Sequence, residues 1–197
     1  MGMAGSVAAN VRSLGYECDI ITNKNTIEKI RYVDARTHQM IIRVDKHDYV
    51  DEKYEHNEDV LKGYDGIIIS DYDKGFLNVK DLKLILETDT PTFLQTNKLL
   101  GDWCIEADYI KLNEYEYEKT KHLLDKLYYN NFPGIDSKLI VTLGAKGCKF
   151  QNKTYPVFKK LEVRDVSGAG DTFLAAFTIH YLKNNNPNTS IKFAQEC

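Results

Sequence analysis

The sequence predicts an α/β fold, a mostly parallel sheet with helices on both faces. Three observations carry that reading. The runs Asp65-Gly-Ile-Ile-Ile-Ser, Thr92-Phe-Leu-Gln95, Tyr109-Ile-Lys-Leu and Leu139-Ile-Val-Thr142 have the length and the near-continuous hydrophobicity of strands covered on two sides. Amphipathic stretches with helical spacing alternate with them, as crossovers between parallel strands require. No repeat, low-complexity tract or second domain is read in the 197 residues, so a single domain over residues 1–197 is expected.

Each element can be justified in turn. Residues 1–14 are small and then apolar at helical spacing, and Gly15 supplies the stop. Residues 19–22 read as a short buried strand. Residues 26–33 and 39–44 alternate apolar and polar around the turn Asp34-Ala-Arg-Thr-His, which predicts a hairpin over 26–45 with one dry face. Residues 46–62 are polar, a loop passing into a surface helix. The strand at 65–70 is expected at the centre of the sheet, and it ends in Asp71-Tyr-Asp-Lys74-Gly75. That is the strand end where open α/β sheets place ligands. A helix over 78–87 precedes the strand at 92–95, and a helix over 122–130 precedes the strand at 139–142. Thr142-Leu-Gly144-Ala-Lys-Gly147 then turns into residues 148–151, and residues 153–156 and 161–163 supply the last short strands. A helix to Lys183, a linker over 184–187 and a final helix over 190–197 complete the chain.

Composition narrows the function. With 43% hydrophobic residues, 28% charged residues and a net charge of −3, nothing marks a nucleic-acid surface. No apolar run reaches membrane-spanning length and no signal peptide is read, so a cytoplasmic protein is expected. Cys18, Cys104, Cys148 and Cys197 are widely spaced and form no Cys-x-x-Cys pair. They read as reduced, mostly buried thiols with no metal framework.

Chemistry concentrates between Val163 and Phe177. Gly168 and Gly170 bracket Ala169 after a short β-type run, and an alanine-rich helical segment follows. A helix start exposes amide groups without intrahelical partners and a partial positive charge, so it attracts an anion, and small residues let a phosphate approach. Asp171 lies in the first helical turn. A carboxylate beside a phosphate is poor for plain binding and well suited to accepting a proton from an attacking hydroxyl. The bare pattern Gly-Ala-Gly-Asp also suits a turn whose aspartate merely caps the helix.

The wider string Asp165-Val-Ser-Gly-Ala-Gly-Asp-Thr resembles the C-terminal signature of the PfkB, or ribokinase-like, family of carbohydrate kinases. The resemblance implies a ribokinase-like fold with a small β-lid over residues 26–45. It implies Asp171 as catalytic base and Gly168, Ala169 and Gly170 as an anion hole. Asn113-Glu-Tyr-Glu116 resembles the family's Asn-x-x-Glu motif, in which Asn113 and Glu116 organise Mg²⁺ through water. Thr142, Gly144 and Gly147, with Asn113, correspond to the ATP side. Without the family, Asn113 reads as a helix cap and the glycines as a hairpin turn.

The segment from Gly2 to Gly15 resembles the family's sugar-site segment, with Met3 in place of a glycine and Ser6 in place of an asparagine. Lys29-Ile-Arg31-Tyr, Gln39 to Asp45 and Ser-Asp71-Tyr-x-Lys74-Gly resemble the branch that phosphorylates heptose 7-phosphate. Gly2, Ser6, Arg31, Arg43, Asp71 and Lys74 are then the substrate side, with solvated edge charges and a simple βα turn as the plainer readings. Gln95 stands where relatives often carry aspartate. The likeness covers nearly all of the chain, without counterparts for the family's first strand, its last segment, and a helix and strand between Thr22 and Thr26. It implies ATP, a sugar phosphate and Mg²⁺ as ligands, no nucleic-acid or membrane partner, and a homodimer through the lid.

Overall fold

A computed structural model describes residues 3–25, 27–37, 39–129, 134–157 and 168–197. Six strands form the main sheet in the order β3 (Ile67–Asp71), β4 (Thr92–Thr96), β5 (Tyr109–Asn113), β6 (Leu139–Thr142), β7 (Cys148–Phe150), β8 (Lys153–Tyr155). The first four run parallel, and β7 and β8 turn back antiparallel. Helices α3 (Val79–Leu86) and α4 (Glu114–Tyr129) cover one face, where Leu82, Ile85, Leu94, Ile110, Leu112 and Trp103 pack together. Helices α1 (Met3–Ser13), α5 (Ala169–Asn184) and α6 (Pro187–Glu196) cover the other, over Phe93, Ile140, Phe150, Phe177 and Ile191. The expected α/β arrangement with helices on both faces is present.

Local chemistry sets the helix ends. Asn78 accepts the amides of Lys80 and Asp81 while Asp81 accepts the Asn78 amide, a reciprocal cap that starts α3. Helix α5 is apolar on all sides because it is packed between the sheet, α1 and α6. Phe177 and Tyr181, one turn apart, meet Tyr109 at ring-centroid distances of 5.1 and 4.7 Å. Asn185, in the left-handed region at φ 49, closes α5, and Asn186 with Pro187 starts α6 at once. The expected linker is therefore two helix caps back to back.

Several expectations need correction. Residues 19–22 form no strand, and Ile20 and Ile21 are exposed. A strand needs a ladder partner, and among the described residues none stands beside them. For the same reason β3 is not central: it ends the sheet, and among the described residues nothing pairs its outer edge. Its three isoleucines have the composition of an interior strand in an edge position.

The hairpin, β1 (Glu28–Val33) with β2 (Met40–Lys46), is antiparallel with a bulge at Tyr32 and Val33, and its turn is organised by Asp34 accepting from Arg36 and Thr37. It has no dry face along its length. It stands off the main sheet, so only its base is half-buried, and Ile41 is 72% exposed. The surface helix is one turn, α2 (Glu58–Leu61), and α4 begins at Glu114, eight residues before the predicted start at 122. The expected strand at 161–163, Asp165, Gly2, Thr26 and His38 lie outside the described residues. Of the four thiols, Cys104 and Cys148 are buried and burial pushes them up to about 11 and about 12, whereas Cys197 is exposed.

Candidate active site

The N-terminus of α5 opens onto a cleft of ≈ 2110 Å³ between α1, the hairpin and the outer edge of β3. Gly168 caps the helix at φ 87, a conformation that favours glycine, and among the described residues no side chain caps it. A Cβ on Gly168 would meet nothing within 4 Å, so the turn faces open space. Asp171, one helical position after Gly170, lines this cleft and is only 6% exposed. Burial pushes its carboxyl above the ordinary carboxylate range, and the charges of Lys111 and Lys29 and a hydrogen bond from Gln95 pull it back. Such a balance suits a proton acceptor.

Around Asp171 the fold gathers groups from distant positions. Gln95, at the C-terminal end of β4, approaches Asp171 Oδ1 at 3.5 Å and Met3 Sδ at 4.0 Å, while its own Oε1 is buried with no hydrogen-bond partner among the described residues. Asn10 on α1 accepts from Thr172 at 3.2 Å and donates to the Ser6 carbonyl at 2.9 Å, so α1 is tied to the turn that carries Asp171. Lys29 of the hairpin sits 4.2 Å from the Tyr72 ring centroid. Burial and the nearby charge of Asp171 push the Tyr72 phenol up.

The cleft brings together Ser6, Arg31, Asp71, Lys74, Gly168 and Asp171 from the predicted set. They are not equally available. Asp71, 6% exposed, accepts from Thr96 Oγ1 at 2.9 Å and Lys98 Nζ at 3.0 Å. Lys98 also reaches Asp73, and the two carboxylates outweigh burial to hold it above the usual lysine range. This trio closes the βα turn. Lys74 pairs with Asp48. Arg43 lies on the hairpin in a two-pronged contact with Asp45, at 2.7 and 2.6 Å, and does not line the cleft.

The second cluster lies at the ends of β5 and β6. Asn113 and Glu116 form a reciprocal cap on α4, each amide donating to the other's side chain at 2.8 Å. That uses Glu116 Oε2 and leaves Oε1 for a hydrated cation. Among the described residues no group of three His, Cys, Asp or Glu side chains could cage a metal directly. One carboxylate oxygen with an amide fits a water-mediated Mg²⁺, which also draws on substrate phosphates. Thr142 Oγ1 donates to the Leu112 carbonyl at 3.2 Å. A Cβ on Gly147 would fall 1.9 Å from the Tyr155 carbonyl oxygen, so close packing already requires that glycine, whereas Gly144 is open on all sides.

Sequence reasoning missed Lys98, Tyr72 and above all Lys111. Lys111 is 4% exposed beneath the glycine turn, where a Cβ on Gly170 would lie 2.6 Å from its ammonium. The signal was a lysine inside an otherwise apolar strand, two positions before Asn113 and so on the same sheet face.

Residues 77–197 match the sequence profile described as pfkB family carbohydrate kinase. The bifunctional protein HldE of Helicobacter acinonychis is 27% identical over an alignment covering 98% of this chain and 52% of that protein. The chain spans about half the length of the curated relatives it matches. A nucleoside kinase of Methanocaldococcus jannaschii, described as an archaeal member of the ribokinase family, superposes with a TM-score of 0.70 at 15% identity, covering 99% of this chain and 77% of that one. Arabidopsis thaliana ribokinase, complexed with ribose and ATP, gives 0.58 at 17% identity, covering 81% of this chain and 57% of that one. These likenesses establish the ribokinase-like fold.

Proposed function

Because the chain belongs to the pfkB family of carbohydrate kinases, we propose that it transfers the γ-phosphoryl group of ATP to a sugar hydroxyl at the N-terminus of α5. The observation that carries this is Asp171, a buried carboxylate next to an uncapped glycine turn on the wall of an open cleft. In the proposed step the sugar oxygen bonds to the γ-phosphorus, its proton passes to Asp171, and the bond from that phosphorus to the ADP oxygen breaks. The Gly168, Ala169 and Gly170 amides face the charge that builds on the phosphoryl oxygens. Mg²⁺, when bound, neutralises phosphate charge, and Asn113 and Glu116 would hold it through water. Thr142 and Gly144 lie on the ATP side, and the hairpin, carrying Lys29 and Arg31, excludes water from the sugar side.

The acceptor we favour is a heptose 7-phosphate. Lys29, Arg31 and Lys74 line or flank the cleft as cations suited to a sugar phosphate, and the curated relatives are HldE proteins. Gly2, Ser6 and Asp71 complete the proposed sugar side, and Arg43 joins it only by exchanging Asp45 for the phosphate. A cytoplasmic enzyme without nucleic-acid or membrane partners fits the charge and the finding that no described helix is long and apolar enough to cross a membrane. The exposed Tyr32, Met40, Ile41 and Ile42 support a homodimer through the hairpin tips.

A second reading, a sugar-phosphate or nucleotide binder without turnover, is favoured by one feature. Gln95 and Met3 occupy the space beside Asp171. The test is a coupled ADP-release assay over a sugar panel. Turnover with heptose 7-phosphate that disappears in Asp171→Asn supports the kinase reading. Turnover confined to unphosphorylated sugars or nucleosides removes the heptose. Ligand binding without turnover selects the second reading.

A further inference from the structure

Among the lysines lining or adjoining the site, Lys111 is set apart by its burial. Lys29 and Lys74 are on or beside the cleft wall, and each meets an acid or an aromatic ring there. Lys111 rises from the middle of β5, between β4 and β6, and is 4% exposed. Residues two apart on a strand share a face, so Lys111 stands in line with Tyr109 and Asn113. Tyr109 packs against Phe177 in the body of α5, and Asn113 caps α4 with Glu116. The lysine thus rises under the first turn of α5, between Asp171 and the Asn113–Glu116 pair.

Placing an ammonium here is costly. A charged group loses hydration on burial, and the loss is recovered only when opposite charge is close. Among the described residues Lys111 makes no ion pair within 4.0 Å and no side-chain hydrogen bond. Glu116 and Asp171 are the acids whose charges act on it, from beyond ion-pair distance. The backbone also makes room for it: a Cβ at position 170 would lie 2.6 Å from the ammonium and displace it from its present position. Gly170 thus leaves space for the ammonium where it stands, directly under the turn.

The geometry points to Lys111 as the fixed countercharge for the group that is transferred, meeting the terminal phosphate of a nucleoside triphosphate from beneath the glycine turn. This rests on the kinase reading. The Gly168 to Gly170 amides approach that phosphate as dipoles, and Lys111 adds a full positive charge in a site shielded from water, where such charge acts strongly. A diphosphate lacks the group that Lys111 meets. The lysine should therefore discriminate triphosphate from diphosphate, and it should act on the phosphoryl step more than on sugar binding.

The experiment compares the wild type with Lys111→Met, which keeps most of the volume, and with Lys111→Gln as a second neutral variant. Calorimetry with Mg²⁺ and either the β,γ-imido analogue of ATP or ADP gives the ratio of the two affinities. Loss of a charge-assisted contact predicts that triphosphate affinity falls about tenfold or more, with ADP affinity unchanged. In the sugar kinase assay kcat should fall about a hundredfold while KM for the sugar holds. Thermal denaturation should show the Met variant as stable as the wild type or more so, because a buried charge has been removed.

An unchanged triphosphate-to-diphosphate ratio in both variants, or equal loss of both nucleotides with a fall in Tm, overturns the role and makes Lys111 a structural residue. A wild type that discriminates between the nucleotides, loses that in the variants and phosphorylates no sugar keeps the role while removing the kinase reading. A wild type that binds neither nucleotide ends both.

Discussion

Residues 77–197 and residues 3–76 differ in how they are held together. All twelve of the largest fully buried side chains, from Phe93 and Phe177 to Leu174 and Ile191, lie in the first stretch. Of the sixteen large hydrophobic side chains that are exposed among the described residues, twelve lie in the second, among them Ile20, Ile21, Tyr32 and Ile41. The second stretch adds Val7, Val11, Leu61 and Ile69 to the core and is also joined by polar contacts: Tyr64 to Asp19 at 2.8 Å, the Lys24 amide to Glu52 at 2.7 Å, and Lys74 to Asp48. Asp171 and Lys111 belong to the stretch that holds the largest buried side chains, and the groups proposed to meet the sugar belong to the one that carries most of the exposed ones. The lesson is that Asp171 and Lys111 sit among tightly packed side chains, which tolerate little change, whereas the proposed acceptor groups sit among more exposed ones.

The contrast can be broken most sharply at Asp171. Asp171→Asn should lower kcat by 10²- to 10⁴-fold, about 3–5 kcal/mol of barrier, when measured by ADP release. The same change should raise Tm at neutral pH. The folded chain holds the Asp171 proton to a higher pH than the unfolded chain does. Stability from this site is therefore present at low pH and lost as pH rises through the raised value, and asparagine removes that loss. In the wild type, kcat/KM should climb with pH along a limb set above the ordinary carboxylate range. A limb at the ordinary Asp value, or a drop in Tm, would mean that the carboxylate serves the fold rather than the proton.

A core position comes next. Gly147→Ala puts a methyl against the Tyr155 carbonyl at a backbone φ of 96, which should cost on the order of 3 kcal/mol in urea unfolding. Tolerance there would show that β7 and β8 are less firmly seated on α6 than the Gln195 bond to Tyr155 O, at 2.7 Å, suggests. The smallest effect is expected at the hairpin. Ile41→Thr should change monomer stability by no more than about 0.5 kcal/mol, while light scattering should report weaker self-association if the tips pair. A large loss of stability would place the hairpin inside the core and erase the contrast.

How far the sequence could be read follows the same division. Strands β4, β5 and β6, the helix at Asn78 and the start of α5 were legible because caps, glycines and apolar runs are local signals. The edge position of β3 and the coil at 19–22 were not, because strand status depends on a neighbour that no local pattern encodes. Asp171 and the glycine turn stood out in one contiguous string. Lys111 did not, since its meaning comes from Gly170, fifty-nine positions later, leaving it space. Asp71 lines the cleft at the strand end where the sequence put it, and its partner Lys98 was missed because a lysine after a strand ordinarily points to solvent.

Trp103 offers a practical outcome. It is the only tryptophan in the chain, 7% exposed, with its indole N–H donating to the Leu99 carbonyl at 3.3 Å on the face covered by α3 and α4. Asp171 and the start of α5 lie on the opposite face of the sheet. Intrinsic fluorescence will therefore report the melting of that layer and respond little to a ligand held only at the start of α5, so a titration followed by emission at this dye-free reporter would understate such binding where calorimetry detects it.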